Sequence, residues 1–518
     1  MYVNKFLMKQ YILQQVINHL KLSRNKSTKV FDKHKWKSVV GLEIHAQISS
    51  ESKLFSAAGT KFDAVVNSQV SLFDAAIPGT LPSINEKCVE AAILTALVLG
   101  CNLNTISSFD RKHYFYADMP AGYQITQQFH PLAKNGQITF PVIDQNINKV
   151  PYNKTSLIKQ IQLEQDSGRT IYDDFSKNSL VDLNRAGTGL MELVFEPDLC
   201  NGLEASALVK ELLLIFERIK TCSGRMEEGA LRVDANVSIS DSDQLGTRTE
   251  IKNLGSIRAV QLAVDYEIFR QLNLIKEEKE VVNETRGWDS ITNKTVSMRD
   301  KEVLQDYRFM PEPNLLSLNL NMIDINKLKI NIPELPTVTR NNIMCKYGLN
   351  IRKTTTLMNE PVLLSMFFDI MNNDTFRNPS RVWNVLTIEF LTELNKRSIE
   401  PRQSEIPSSV IGEVVDLLDN NSVNLVHARK VISKVFDEKD KSPSQIVKEN
   451  NWEQISDIEE IEKLCKEVML EYPKAIKDYR RGKLQAIKFL ISHIAKKTNE
   501  RANLALVSKK LEEFLKND

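Results

Sequence analysis

Near residue 330 the chain changes character. From about Trp36 up to that point, β-forming runs alternate with Gly, Pro and Asn punctuation. Beyond it glycines are few and long amphipathic stretches follow one another. A passage containing Pro311, Pro313, Pro333 and Pro336 separates the two regimes. A period-2 pattern and a period-3.6 pattern bury different faces, and 518 residues exceed what one core usually holds. Two or three domains are expected, a mixed α+β region first and an all-α remainder after it.

Local signals place several elements. Val39, Val40, Leu42, Ile44 and Ile48 make Trp36–Ile48 a strand. Asn85 as N-cap, Glu86 in the first turn and Gly100 at C′ bound a helix over about 86–99. Ala205, Leu208, Leu212, Ile215 and Ile219 predict a second helix at about 203–220. Arg232–Ser240 alternates Val233, Ala235, Val237 and Ile239, as a half-buried strand does. Two later stripes, Leu484/Ile487/Ile491/Ile494 and Leu504/Val507/Leu511/Leu515, are helical, and Asp437–Ser444 reads as a linker.

Composition excludes several function classes. No apolar run approaches the roughly 20 residues needed to span a bilayer. The longest, Cys88–Leu99, contains Glu90, so no membrane partner is expected. Net charge is only +2, so any RNA contact needs a local basic surface. Six cysteines without a Cys-x-x-Cys pair support neither a zinc ribbon nor a disulfide framework. A P-loop is absent, and Gly187-Thr188-Gly189 lacks the third glycine of a dinucleotide loop. Residues 1–31 carry six Lys/Arg and no acid among helically spaced apolar residues. That is the pattern of a mitochondrial transit peptide, assigned to 1–35, with a basic tail lacking any address as the alternative.

Candidate chemistry sits in the first 310 residues. Glu43 and His45 are two apart on a predicted strand and share a face. Glu164 and Asp166 have the same spacing, and Glu192 lies inside the apolar run Leu190–Val194. Glu227 and Glu228 precede Arg232, Asp234 and Asn236 at strand spacing, and Glu250 precedes Lys252. An acid in an apolar strand is costly to bury, by at least several kcal/mol, unless paired or metal-bound. Several together suggest a hard-cation site with oxygen ligands. Taken singly, each has an ordinary reading as a salt-bridged glutamate or a core histidine.

Ten strings in order resemble the GatB family of glutamyl-tRNA(Gln) amidotransferase subunits. They are VGLEIHAQ (40–47), SKLFS (52–56), PGTLPSIN (78–85), FDRKHYFY (109–116), PAGYQITQ (120–127), VDLNRAG (181–187), MEEGALRVDANVS (226–238), EIKNLGSIRAV (250–260), ETRGWD (284–289) and DYRFMPEP (306–313). The resemblance implies an α+β fold: a cradle-shaped mixed-sheet domain (36–330), a helical domain (331–440) and a small α-helical tail domain (441–518) that contacts tRNA. It implies ATP-dependent transamidation of Glu-tRNA(Gln) to Gln-tRNA(Gln) through a phosphorylated glutamyl group, in the mitochondrial matrix. ATP and Mg2+ are the expected cofactors. The expected partners are a small third subunit, Glu-tRNA(Gln) and an amidase subunit. By position, Glu43, His45, Glu164 and Glu192 match the metal and ATP site, and Asp234 joins them as a catalytic candidate. Lys112 matches an ammonia passage, although Arg111-Lys112-His113 reads equally as a patch facing RNA or another subunit. Arg232, Lys252 and Arg308 are candidate phosphate partners or structural ion pairs. Where bacterial relatives have His-Leu-Glu-Glu-Asp, this chain has Gln162-Leu163-Glu164-Gln165-Asp166, so Gln165 could ligate only through a neutral carbonyl. Ala117 replaces a common proline.

The chemistry explains the residue types. A glutamate carboxylate is a poor electrophile, and phosphorylation supplies a leaving group that ammonia can displace. Phosphoryl transfer depends on positioning and charge neutralisation, which carboxylate-held Mg2+ provides. His45 is left with three roles: ligand to a softer ion, orienter of a carboxylate, or proton carrier. At the other end, Lys474–Leu511 holds eleven Lys/Arg and two acids, a net of +9. Lys477, Arg480, Arg481, Lys483 and Lys488 are the expected tRNA contacts, with a solubilising face as the alternative. A non-catalytic tRNA scaffold is the competing function.

Overall fold

The 36–48 run forms the strand β1, Lys37–Gln47, and the first half of the chain is built around it. In the computed structural model, residues 36–517 are described except 145, 174, 299–306, 375, 482 and 484. The transit-peptide segment 1–35 lies outside the described residues. The chain divides into two compact units. One spans 36–144 and 152–333, the other 334–517 together with 146–151.

The elements that position the site follow β1 in chain order: α1 (Glu86–Val98), β2 (Asn102–Leu103), β3 (Asp110–His113), β4 (Tyr123–Thr126), β5 (Ala133–Val142), β6 (Tyr152–Gln165), β7 (Gly189–Phe195), α2 (Gly202–Ile219), β8 (Leu231–Ser240), β9 (Thr249–Lys252), α3 (Ile257–Lys276), β10 (Glu284–Asp289), β11 (Lys294–Ser297) and β12 (Arg308–Pro311). Nine strands form one sheet in the order β11-β10-β9-β8-β1-β7-β6-β5-β2. Every pairing is antiparallel except β9 with β10. A second sheet, β12-β3-β4, packs beside β6, where the Gln124 side-chain amide donates to the Gln165 carbonyl at 2.8 Å.

Strand alternation sorts the large sheet into two faces. Val40, Leu42, Ile44, Ala46, Met191, Leu193, Ile161, Leu163, Val233, Ala235 and Ile251 are fully or almost fully buried. The helices α2 and α3 pack on each other and on β5 and β8, and they cover this face. Each large aliphatic side chain removed from water contributes about 1.5–3 kcal/mol. The start of α2 approaches α3 through Gly202, where an added Cβ would stand 2.1 Å from the Gln261 carbonyl oxygen. Caps set the helix ends. Asn85 accepts from the Lys87 amide at 3.0 Å, and Asn201 accepts from the Glu204 amide at 2.9 Å.

The second unit is helical, and the protein as a whole is α+β. One hydrophobic cluster runs from Ile343 to Val447, another from Ile461 to Leu515. The linker-like Asp437–Ser444 run ends one helix, Leu425–Asp437, and opens the next, Pro443–Glu449. Ile446 and Val447 then join the earlier cluster, because apolar residues beyond a polar loop can fold back on the core that precedes it. Val507, Leu511 and Leu515 are buried as their stripe predicts, while Leu504 stays 44 % exposed at the helix start and Leu484 lies outside the described residues. All six cysteines are unpaired, and only Cys200 and Cys345 are exposed. Among the described residues no helix is long and apolar enough to cross a membrane.

Candidate active site

The sheet's other face is polar at its centre. On β1, His45 stands opposite Glu192 of β7 and Arg232 of β8, and Glu43 stands opposite Asp234. One strand further, Glu192 stands opposite Gln162 of β6, two residues from Glu164. Directly opposed residues share a face, as do residues two apart. Four strands distant in sequence therefore present Arg232, Asp234, Glu43, His45, Glu192, Gln162 and Glu164 to one side.

Three of these side chains converge. The His45 Nε2 lies 3.2 Å from Glu164 Oε1 and 3.9 Å from Glu192 Oε1. One donor atom from each of His45, Glu164 and Glu192 lies within 4.8 Å of the others. Neutral residues hold the carboxylates in place. The Thr126 hydroxyl donates to Glu164 Oε2 at 3.3 Å, and the Gln162 amide donates to Thr126 at 3.2 Å and also to Glu192. The Gln160 amide donates to Gln162 Oε1 at 2.8 Å, which fixes the Gln162 orientation. A cavity of about 180 Å³ opens here, lined by Glu43, Glu164, Glu192, Thr126 and Gln162 with Lys112 reaching in from β3. The Lys112 ammonium lies 4.5 Å from the centre of the Tyr307 ring.

Charge is balanced by protons. Burial alone would lower the imidazole of His45, but its bond to Glu164 and the charges of Glu164 and Glu192 raise it to about 9. Burial, reinforced by the neighbouring Glu164 charge, pushes Glu192 up to about 8. Glu164 moves the other way. Burial opposes its ionisation, yet the bond to His45 and the charges of His45 and Lys112 hold it below the usual carboxylate range. Burial also raises Asp234. Two carboxylates and one imidazole in reach of one point suit a divalent cation that keeps positions for water or phosphate oxygens.

The remaining expected residues are placed differently. Glu43 lines the cavity without joining the three convergent donors, because it lies one row along the sheet, where the Asn236 amide donates to it at 2.9 Å. Arg232 is engaged by Asp166, Nη2 to Oδ2 at 3.0 Å, and Lys252 by Glu250 at 3.4 Å. Arg308 lies exposed on β12, and its carbonyl meets His113 Nδ1 at 2.8 Å. Gln165 does not line the cavity. As the neighbour of Glu164 it turns toward Tyr123, so its amide is no ligand candidate. Glu227 and Glu228 precede the strand in a turn, with Glu228 paired to Arg225 at 2.6 Å. Sequence reasoning passed over Thr126 and gave Gln162 and Asn236 no role of their own. The Gln160-x-Gln162-x-Glu164 alternation was the available signal.

Known proteins resemble this chain over most of its length. Residues 38–326 match the family model described as the GatB/GatE catalytic domain, and residues 366–515 match that described as the GatB domain. The chain belongs to the GatB family of amidotransferase subunits. The B subunit of the mitochondrial glutamyl-tRNA(Gln) amidotransferase of Aedes aegypti is 48 % identical over 510 residues, covering 95 % of this chain and 97 % of its own length. The Homo sapiens protein of the same description is 44 % identical over 496 residues, covering 93 % and 89 %. The B subunit of the aspartyl/glutamyl-tRNA(Asn/Gln) amidotransferase of Rickettsia canadensis (strain McKiel) is 41 % identical over 482 residues, covering 93 % and 98 %. The family's catalytic region thus coincides with the sheet that carries His45, Glu164 and Glu192.

Proposed function

We propose that this chain is the activating subunit of a mitochondrial ATP-dependent amidotransferase that converts Glu-tRNA(Gln) to Gln-tRNA(Gln). The observation that carries the reading is the convergence of His45, Glu164 and Glu192, with both glutamates lining a cavity that Lys112 also lines. The substrate carboxylate needs a better leaving group before ammonia can replace its oxygen, and phosphorylation by ATP supplies one. His45, Glu164 and Glu192 are the residues that would hold Mg2+, which neutralises phosphate charge when bound. Gln162 and Thr126 keep the two carboxylates aimed at a common point. Lys112 supplies positive charge to the same cavity and is the residue nearest an incoming ammonia in this reading.

Ammonia comes from a separate amidase, since the chain has no Cys-His constellation or amidase-like serine stretch. A small third subunit and the tRNA complete the assembly. Mitochondrial relatives and the basic, acid-free residues 1–31 support a matrix location. The exposed Lys477, Arg481, Lys483 and Lys488 are the tRNA contacts we favour. Arg480 closes the same helix, although its side chain is outside the described residues.

Reconstitution with the amidase, ATP, glutamine and Glu-tRNA(Gln) tests the reading. Glu164→Gln and Glu192→Gln should each lower ADP formation on the order of a hundredfold or more, the loss expected from several kcal/mol of charge stabilisation. Complex assembly should be unchanged. Normal ADP release in both variants defeats the proposal and leaves a tRNA-binding scaffold in its place.

A further inference from the structure

The helices Pro473–Arg480 and Gln485–Lys497 share a mainly apolar cavity of about 650 Å³, lined by Tyr472, Ala475, Ala486 and Phe489 together with Lys474, Lys483, Gln485 and Asp478. Tyr472 and Phe489 line it, and a third ring, His493, packs against both. The Tyr472 and Phe489 centroids are 5.3 Å apart at 84°, and His493 lies 4.4 Å from Tyr472 and 4.2 Å from Phe489. Tyr472 also packs against the hydrophobic cluster of this region. Phe489 is not part of that cluster and stays 44 % exposed. It is held by two rings while its own surface faces solvent.

Positive charge predominates around the rings. Residues 473–497 contain eight Lys/Arg and one acid, a net of +7. The preceding helix, Ile458–Glu471, carries five acids and two lysines. Those acids neutralise other residues: Glu467 and Glu471 take Lys497 at 3.0 and 2.8 Å, and Glu462 takes Lys510 at 2.8 Å. Lys483 pairs with Asp478. Lys474, Lys477 and Lys488 are exposed and make no ion pair among the described residues.

Aromatic surface with a rim of unpaired lysines calls for a partner that carries both planar rings and negative charge. It is what a single RNA strand requires, π-faces for bases and cations for phosphates. A duplex hides its base faces, so only an unstacked loop nucleotide could enter. We propose that this cavity receives one unstacked nucleobase of the RNA substrate on Phe489, with the flanking phosphates on Lys474, Lys477 and Lys488. The proposal rests on the RNA-substrate part of the function above and is independent of the metal site.

Filter binding by the full chain tests it, with transcribed tRNA(Gln) and a 16-base-pair RNA duplex as probes. Phe489→Leu, which keeps an apolar side chain but removes the ring, should weaken tRNA binding about tenfold, within the range of one lost base stack, and leave duplex binding and the salt slope unchanged. Phe489→Tyr should bind within about twofold of the unmodified chain. Lys488→Ala should weaken both probes and reduce the log–log salt slope by about 1. Equal tRNA binding by Phe489→Leu and the unmodified chain overturns the proposal alone. So does equal weakening of both probes, or a Phe489→Tyr variant as defective as Phe489→Leu. Loss of the amidase from the complex with RNA binding intact would make the surface a protein interface and also overturn it. Failure of the unmodified chain to bind tRNA at all overturns this proposal and the RNA-substrate reading together.

Discussion

Glu164 and Glu192 are glutamates on neighbouring strands, yet their ionisations are pushed in opposite directions. Glu164 accepts from the imidazolium of His45 and stays charged, and that charge, added to burial, keeps a proton on Glu192. Without a cation, the folded chain therefore binds more protons at this site than the unfolded chain does. The window for Glu192 runs from about 4.5 to about 8, and for His45 from about 6.5 to about 9. Stability falls with rising pH wherever the native state holds the extra proton. In chelator, the melting temperature should thus decline from pH 5 to pH 9, and a His45→Gln/Glu192→Gln double variant should show a flatter decline. A decline just as steep in the double variant would falsify the proton assignment. Gln162 offers a second test at this scale. Gln162→Leu leaves all three donors in place but frees Glu192, so Mn2+ affinity should drop about 10–100-fold, as for other outer-shell partners. Unchanged affinity by calorimetry would show that Gln162 has no orienting role.

The elements of the first unit follow from local rules, and their packing follows from close approach. Helix α2 begins at Gly202, for which intrinsic propensity favours alanine by up to about 1 kcal/mol. Packing points the other way, since the new Cβ would meet the α3 backbone at 2.1 Å. Overpacking typically costs about 1–3 kcal/mol, so packing wins and Gly202→Ala should lower the urea midpoint. A raised midpoint would mean that the two helices separate readily. The strands show the same division between local signal and partner choice. The alternation of Val233, Ala235, Val237 and Ile239 announced β8, the cap Asn85 announced α1, and the stripe from Ala205 to Ile219 announced α2. Gln165, which could ligate only through a neutral carbonyl, is turned away from Glu164 by alternation along β6.

At the scale of the molecule, charge is distributed rather than accumulated. The chain carries +2 overall, but its 473–497 segment carries +7 while the helix before it is acidic. Attraction for RNA is therefore local, and screening should reveal it. With about four phosphates neutralised, the log–log slope of tRNA affinity against salt should be roughly −3. A slope near zero would remove the basic helices from the interface. Much of this architecture was legible in the linear chain. The change at about 330, the caps of α1, the two strand patterns and the candidate acids all depend on residues within a few positions of one another. Such spacings record which face is buried and where a backbone hydrogen-bond ladder must stop. Tertiary structure alone decided which acids meet. His45, Glu164 and Glu192 come together because the antiparallel ladders of β1, β7 and β6 set one register, and a shift of one residue would turn each set to the helix-covered face. The same register sends Arg232 to Asp166 and leaves Glu43 one row away, since a strand's partner is chosen by global burial and not by its own residues.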